Sequence, residues 1–483
     1  MLLTLFGRLA QFALMFASVR IMTELLSPAE MGKAVLLTTA TAFFALLLVN
    51  PVGMYFNRRL HAWMDAGRTR ERFHTYLFYL LAVCVVAALS LGLADQWGLD
   101  LGGVSLPWVL SLICGSLFFN TCVQTLVPSL NMVGRHRAFI ALTLGHLAAG
   151  LVASIVLNRI APPSAERWLL GALLGQVVFS GVAYGVFFRR GSGVTAAPAG
   201  PSPFHRDQLW QMAMFCWPIA LAVLLQWLHM QGYRFVLAQA FGLTELGLYA
   251  AGYGVAASLM AAADTILTTW FQPRFYRMVN SDSAAERDGA WRAYAQVMVP
   301  ASLLAVTATV AAAPSLPRIL LGASFHDTTL FVVLGALAEW TRMLVGVFGL
   351  NAHRHMATHK LLLPSLLGAL LTYAVLWLCM PRLGIASAAL GVWVGSMLSL
   401  FYLYGVTYAD DPHMRIDFRA LALPATVLVG VAVLLAWVQQ VLLDLSQPGM
   451  PYGVCLVVGL VWLLLGWRTQ GQAFVTSFRQ RQT

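Results

Sequence analysis

Charge is what this sequence has least of. Asp, Glu, Lys and Arg make up 10% of its 483 residues, whereas 59% are hydrophobic. A soluble domain carries about 25% charged residues, so the chain has too little charge to cover a water-facing surface, which excludes a soluble globular fold. Lysine is almost missing. Lys33 and Lys360 are the two, and the remaining basic residues are arginine. The cysteines (Cys84, Cys114, Cys122, Cys216, Cys379 and Cys455) all fall inside apolar runs and none forms a CxxC pair. That pattern excludes a disulfide framework and a cysteine metal site. There is no Walker A run, no HExxH and no GxSxG elbow, so neither an ATPase nor a standard hydrolase site is encoded. The acidic pair Asp410-Asp411 stands beside Pro412 in a short loop and does not suit a nucleotide-sugar metal site. No connection between apolar runs exceeds about twenty residues, which leaves no room for an extramembranous catalytic domain. The first apolar run leads into Arg20 and Glu24 without a small-residue cleavage site, so no cleavable signal is expected. Neither a cofactor nor an enzymatic reaction is implied.

What is there is a series of apolar windows of roughly 20 residues, the length that crosses a bilayer as a helix. They lie at 2–22, 34–57, 74–94, 105–130, 138–158, 167–189, 209–230, 246–271, 293–313, 325–350, 361–380, 384–407, 420–441 and 449–467. The predicted fold class is therefore all-α and polytopic, with about fourteen transmembrane helices. Arginines alternate between the loops. One set holds Arg58, Arg59, Arg68, Arg70 and Arg72, then Arg135 and Arg137, Arg189, Arg190 and Arg206, and Arg274, Arg277, Arg287 and Arg292. It continues with Arg354 and Lys360, Arg415 and Arg419, and Arg468, Arg479 and Arg481. The opposite loops hold Arg20, Lys33, Arg159, Arg167, Arg234, Arg318 and Arg382. The positive-inside rule then places both termini in the cytoplasm. The net charge of +11 is accounted for by this topology and by anionic headgroups, so membrane lipids are implied as partners and nucleic acid is not.

The chain repeats itself. Setting Glu30 on Glu245 puts Gly32 on Gly247, Gln11 on Gln226, Phe56 on Phe271, Arg59 on Arg274, Glu71 on Glu286 and Arg72 on Arg287. A slightly longer offset relates Leu130-Asn131 to Leu350-Asn351. It also relates Gly171, Gly175, Tyr184 and Gly185 to Gly391, Gly395, Tyr404 and Gly405. Repeats of this kind announce an architecture built from copies of one unit. The expected domains are a six-helix lobe over 1–190, a Gly/Ser/Ala/Pro-rich linker over 191–207, and a second six-helix lobe over 208–408. Two extra helices and a cytoplasmic tail follow over 409–483. Both six-helix units start on the same side, so they are parallel repeats. Transporters built that way bind substrate between the halves and rock one against the other. The GxxxG spacings Gly171/Gly175 and Gly391/Gly395 predict close helix packing, not chemistry.

Arg8, Asp264, Glu339 and Arg342 lie inside predicted spans. Ionisable residues there are expensive and face a cavity or a partner. Arg8 and Gln11 share a face of the first span, Gln226 and His229 of the seventh, and Glu339 and Arg342 of the tenth. Arg8, Asp264, Glu339 and Arg342 are expected at mid-depth or in the inner half, and together they suggest a polar, partly cationic crevice between the halves. In that reading Arg8, Gln11, Gln226, His229 and Arg342 bind substrate. Asp264 and Glu339 serve coupling: protonatable, Asp264 couples to H⁺; ionised, it attracts Na⁺. Each residue also has a structural reading. Glu339 and Arg342 neutralise each other; Arg8 snorkels to the interface; His229 is interfacial. Asn50, Asn120, Gln124, His146 and Gln176 are interhelical hydrogen-bonders. The His353-Arg354-His355…His359 tract sits in a basic loop without carboxylates, so contact with headgroups or phosphate outweighs a metal site.

Three stretches carry a family resemblance. They are Arg20 through the Ser27-Pro28-Ala29-Glu30-Met31-Gly32 turn, Tyr233-Arg234-Phe235 through Gly242-Leu243-Thr244-Glu245-Leu246-Gly247-Leu248-Tyr249, and Pro381-Arg382-Leu383-Gly384-Ile385-Ala386-Ser387-Ala388-Ala389. On these the chain resembles the polysaccharide and O-antigen flippases of the multidrug/oligosaccharidyl-lipid/polysaccharide exporter superfamily, over about residues 1–407. It departs from the family at Tyr233, where an Asp commonly precedes the Arg. The resemblance implies a V-shaped, two-lobed transporter in the bacterial inner membrane that works by alternating access. Its substrate would be an oligosaccharide on polyprenyl pyrophosphate, an O-antigen, capsule or exopolysaccharide repeat unit, moved from the cytoplasmic to the outer leaflet. A polysaccharide polymerase and a chain-length regulator would be its partners. A pyrophosphate crossing hydrocarbon needs a wet, cationic path; Arg8 and Arg342 would supply it, with Arg20, Arg58 and Arg59 at its ends. The last two helices would extend a groove for the lipid tail, as in the fourteen-helix lipid-linked peptidoglycan precursor flippases they resemble.

Three other functions compete. A cation-coupled drug or metabolite exporter of the same superfamily predicts that acids dominate the crevice, whereas here arginines match them. A membrane-embedded polymerase or ligase predicts a long outer loop rich in Arg or His, and the outer loops, such as 314–327, are short and nearly uncharged. A non-transporting scaffold has no need of the repeat.

Overall fold

The computed structural model describes residues 2–98, 100–189, 206–281, 283–354, 362–410, 418–441, 443 and 449–462. Among them every regular element is helical. Ten helices are long and apolar enough to cross a membrane, and two shorter apolar ones, Ala425–Gln439 and Met450–Trp462, follow. The expectation of an all-α polytopic protein is met. The 190–205 linker and the 355–361 tract lie outside the described residues, as does the tail beyond 462. The chain forms two compact units, residues 1–247 and 248–483.

In the first unit, α1 (Leu2–Leu25) ends at a turn where the Ser27 hydroxyl accepts from the Glu30 amide and Pro28 opens α2 (Pro28–Asp65). A serine N-cap followed by proline at the first helical position starts a helix because one residue fills an orphan donor and the other lacks one. Partway along α2 a π-turn spans Ala45–Val49. Pro51 lies just beyond it; its ring cannot donate to the carbonyl four residues back, and the helix widens to relieve the clash. Tyr79 of α3 (Thr69–Gln96) donates to the Leu48 carbonyl at 2.7 Å, which satisfies a group the turn exposes. α2 runs to Asp65 instead of stopping at 57, so Arg58 and Arg59, expected in a loop, stand on a helix. α4 (Leu106–Met132), α5 (His136–Ile160) and α6 (Ala165–Phe187) complete the bundle. Its core is Leu60, Leu80, Ile113 and Leu130, with Phe56, Phe73 and Tyr76 in ring contact.

α7 starts at Arg206, passes a π-turn at Leu228–Gly232 and runs to 241. Gly242, with φ 82°, then breaks the helix, and α8 follows over 243–279. Only glycine takes that left-handed backbone without strain.

The second unit continues with α9 (Ala284–Ala312), α10 (Thr329–Arg354), α11 (Leu362–Leu383), α12 (Ala386–Asp410), α13 (Phe418–Val441) and α14 (Met450–Trp462). Trp291 fills its core and donates to the Val347 carbonyl at 3.1 Å. In both units a paired helix hairpin closes on glycine. A Cβ on Gly171 of α6 would stand 2.2 Å from the Ser154 amide nitrogen of α5, and one on Gly391 of α12 would stand 2.7 Å from the Thr372 carbonyl of α11. Small residues at such crossings let backbones touch, which is what drives helix association where no water is left to expel. The outward faces are bare and apolar, with Leu89, Phe78, Leu378 and Leu456 more than half exposed, as a lipid-facing surface requires.

Candidate functional site

Among the described residues, a polar grouping inside apolar helices belongs to the second unit. Glu339 and Arg342 are three apart on α10, so helical geometry puts them on one face. Arg342 Nε meets Glu339 Oε2 at 2.6 Å. The other carboxylate oxygen, Oε1, accepts from the Tyr253 hydroxyl of α8 at 3.0 Å. The Glu339 side chain is 9% exposed and the Arg342 side chain 32%, so the acid is sealed in and the guanidinium keeps an open side. Asp264 follows Tyr253 on α8 by just over three turns and therefore lies on the same face. It feels the charge of Arg342 first and of Glu339 second. Tyr294 of α9 lies close enough to Asp264 to feel its charge. Three helices thus converge two carboxylates, one guanidinium and two phenols. In a medium without water such groups survive by satisfying one another.

The first unit holds the other candidates, dispersed. Arg8 donates to the Gln11 amide oxygen at 3.0 Å and lies over the Phe139 ring of α5 at 5.7 Å. Gly7 beside it packs on Ile140, which seats α1 on α5. Arg20 is tied to Glu24 one turn along α1 at 2.7 Å. Arg58 lies over Phe215 at 5.7 Å and Arg59 over Tyr55 at 5.4 Å, both on exposed side chains. Gln226 and His229 were expected on a shared face of α7, yet Gln226 is exposed and His229 buried.

The structure therefore brings together Arg8 with Gln11, and Asp264 with Glu339 and Arg342. Gln226 and His229 differ in burial, and Arg20 has a local acid in Glu24. Sequence reasoning missed Tyr253 and Tyr294, whose only signal is a phenol inside an apolar helix. It also missed Thr39 of α2, whose carbonyl accepts from Trp227 Nε1 and whose hydroxyl accepts from Arg234, each at 3.3 Å. The side chains of His353, Arg354, His355 and His359 lie outside the described residues.

No curated protein matches the chain. Among solved structures, a lipid II flippase, MurJ, in an inward closed conformation, superposes with a TM-score of 0.69 at 10% identity, over 98% of this chain and 99% of that one. A multidrug-resistance MATE family transporter of the MOP superfamily, in an inward-facing conformation, gives 0.59 at 13% identity, over 84% and 96%. A variant of the Vibrio cholerae MATE transporter VcmN gives 0.53 at 14%, over 86% and 95%. At these identities the likeness is one of fold: the helices are arranged as in the MOP transporters. The model of the family described as "Polysaccharide biosynthesis protein" matches residues 21–330, most of the chain, and the chain belongs to that family.

Proposed function

We propose that this protein is a flippase that carries a polyprenyl-pyrophosphate-linked oligosaccharide from the cytoplasmic to the outer leaflet by alternating access, driven by an ion gradient. The observation that carries this reading is the environment of Arg8. Its guanidinium is held by an amide and an aromatic face, and neither cancels its charge. A carboxylate partner would neutralise it; an amide leaves it able to meet a pyrophosphate bidentately. Membership of a polysaccharide biosynthesis family agrees with a glycan cargo. So does the extent of the structural likeness. The lipid II flippase superposes on nearly the whole chain, whereas the exporters leave about a seventh of it uncovered.

In this scheme Arg8, Gln11, Gln226, His229 and Arg342 contact the headgroup and its sugars. Asp264 and Glu339 couple transport to H⁺ or Na⁺, and Arg20, Arg58 and Arg59 attract the anion at the ends of the path. The arginine-rich loops and both termini face the cytoplasm of a bacterial inner membrane. A polymerase and a chain-length regulator act on the delivered units.

A second reading, a cation-coupled drug or metabolite exporter, draws on one observation: Asp264 and Glu339 outnumber Arg342 in the second unit. One experiment separates the two. Arg8→Ala, expressed in a strain deleted for the native gene, is expected to abolish surface polysaccharide while its amount in the membrane stays normal. Drug sensitivity should be unchanged by the deletion. Normal polymer with Arg8→Ala, or a deletion that alters drug sensitivity and leaves polymer intact, overturns the flippase reading.

A further inference from the structure

A cavity of about 490 Å³ lies within the first unit, between α2, α3 and the start of α7. It has a polar end and an apolar end. Arg72 lines it from the first turn of α3, and Tyr79 lies seven residues deeper, about 10 Å along the helix. α2 runs the other way, so Arg59 lines the same end as Arg72, and Val52 lies about 10 Å further in. Six of the fourteen lining residues are aromatic, among them Tyr55, Trp63 and Phe78. Two arginines line the cavity and no carboxylate does. Arg59 is steadied at the mouth by the Tyr55 ring, 5.4 Å from its guanidinium carbon. Phe78 is 64% exposed, so the wall opens sideways onto the outer face of the bundle. Arg8, Asp264 and Arg342 take no part in the lining.

A cationic mouth at the helix ends, an aromatic shaft about 10 Å deep and a lateral opening match an amphiphile with an anionic head and an apolar chain. We infer that this cavity binds the phosphate headgroup of an anionic lipid from the leaflet that meets the arginine-rich loops, with the first part of its chain lying along Phe78 and Tyr79. Guanidinium groups bind phosphate oxygens in pairs, and polybasic sites beside a membrane favour anionic lipids. The site shares Arg59 with an end of the transport path proposed above, and none of its other lining residues belongs to that path. Its ligand is a resident lipid that ties α3 and the first turns of α7 to α2.

Trp63 reports on it. The full chain is reconstituted into vesicles of phosphatidylcholine doped with brominated phosphatidylglycerol or brominated phosphatidylcholine, and the Trp63 signal is taken as the difference between wild type and Trp63→Phe. Brominated phosphatidylglycerol is expected to quench that signal at a mole fraction on the order of tenfold lower than brominated phosphatidylcholine does. Arg59→Gln/Arg72→Gln should bring the two lipids level, and Arg59→Lys/Arg72→Lys should keep most of the preference. Equal quenching by both lipids in wild type overturns the proposal, as does a preference that survives the glutamine variant. Soluble pyrophosphate is the other arm. If it alone relieves quenching by brominated phosphatidylglycerol and protects the protein against heat in vesicles of pure phosphatidylcholine, the ligand is a free phosphate compound and the lipid assignment fails. Should the glutamine variant not fold, rising salt in wild type replaces it. The preference must then fall with ionic strength, and a salt-independent preference counts against the arginines.

Discussion

Gly247 lies so close to Pro28 that a Cβ added to it would stand 1.9 Å from the Pro28 carbonyl oxygen, and 3.0 Å from the amide nitrogen of Gly32. The contact is reciprocal: a Cβ on Gly32 would stand 2.1 Å from the Leu243 carbonyl oxygen. These glycines are the pair that the sequence repeat sets on one another, so the two matching turns meet back to back. Neither neighbour is a side chain that can swing aside. Gly247→Ala is therefore expected to destabilise by at least ~1–3 kcal/mol, the cost of forcing atoms into a filled space. Gly254→Ala on the same helix, where nothing lies within 4 Å of the added carbon, should be neutral or slightly stabilising, because alanine is the better helix former. Thermal unfolding of both variants in one detergent checks this, and equal midpoints would contradict it.

Gln439 anchors α13 to the second unit. Its side-chain amide donates to the Ala311 carbonyl at 2.5 Å, and its oxygen accepts from the Ser315 hydroxyl at 2.8 Å. The residue is 2% exposed. Gln439→Leu would leave a buried carbonyl and a buried hydroxyl without this partner, at about 1–3 kcal/mol for each. Val433→Ala on the exposed face of α13 should cost less than about 0.5 kcal/mol. The expected result is a lower unfolding midpoint for the first variant only. Trp462 of α14 also donates to Thr307 of α9, at 3.0 Å, so the last two helices dock on α9 through polar groups and not by apolar packing alone.

The helical, membrane-spanning class was legible because a deficit of charge over a whole chain has one physical solution, and apolar windows of bilayer length mark its pieces. Glycine packing was legible too: the GxxxG pair Gly171/Gly175 stands where α5 and α6 touch. Helix ends were not. Nothing local stops α2 at 57, since a helix leaving the bilayer continues until a turn residue such as Gly67, with φ 66°, releases it. The π-turns were invisible because hydrophobic windows register length and not pitch; Pro51 widens the first, and Tyr79 then satisfies the Leu48 carbonyl. Glu30, read as a landmark of the repeat, proves to be a brace. One oxygen holds Lys33 at 2.7 Å and the other accepts from the Ala165 amide at the start of α6, at 2.8 Å. Pairs three apart on one helix, Arg8 with Gln11 and Glu339 with Arg342, were legible because helix geometry alone decides them.

Glu339 and Arg342 should behave as one unit. Removing either leaves the other at membrane depth with its charge uncompensated, whereas removing both leaves neutral groups. Glu339→Gln and Arg342→Gln are each expected to cost more stability than the double variant, with a coupling of about 0.5–3 kcal/mol. The open side of Arg342 places this at the lower end of what a fully sealed pair would give. A double variant that loses the sum of the two single losses would show that the pair is not coupled.

Asp264 differs from its neighbour in one respect that matters for coupling. Both oxygens of Glu339 are committed, to Tyr253 and to Arg342, whereas among the described residues no hydrogen bond to the Asp264 carboxylate is found. A carboxylate that senses a guanidinium without being locked to it is free to exchange its counterion. On the coupling proposed above, a proton or Na⁺ arriving at Asp264 would weaken its pull on Arg342 and leave that arginine to Glu339 or to an anionic cargo. Asp264→Asn keeps the shape and fixes the neutral state. In vesicles holding a fluorescent lipid-linked oligosaccharide, the wild-type rate of appearance in the far leaflet should fall several-fold when the proton or sodium gradient is collapsed. The Asp264→Asn rate should already be at that lower level and should not respond to the ionophore. Gln11→Ala serves as the contrast, since losing a contact to Arg8 should slow transport and still leave it dependent on the gradient. If Asp264→Asn instead flips the lipid at the wild-type rate and still slows on collapse, coupling does not run through α8.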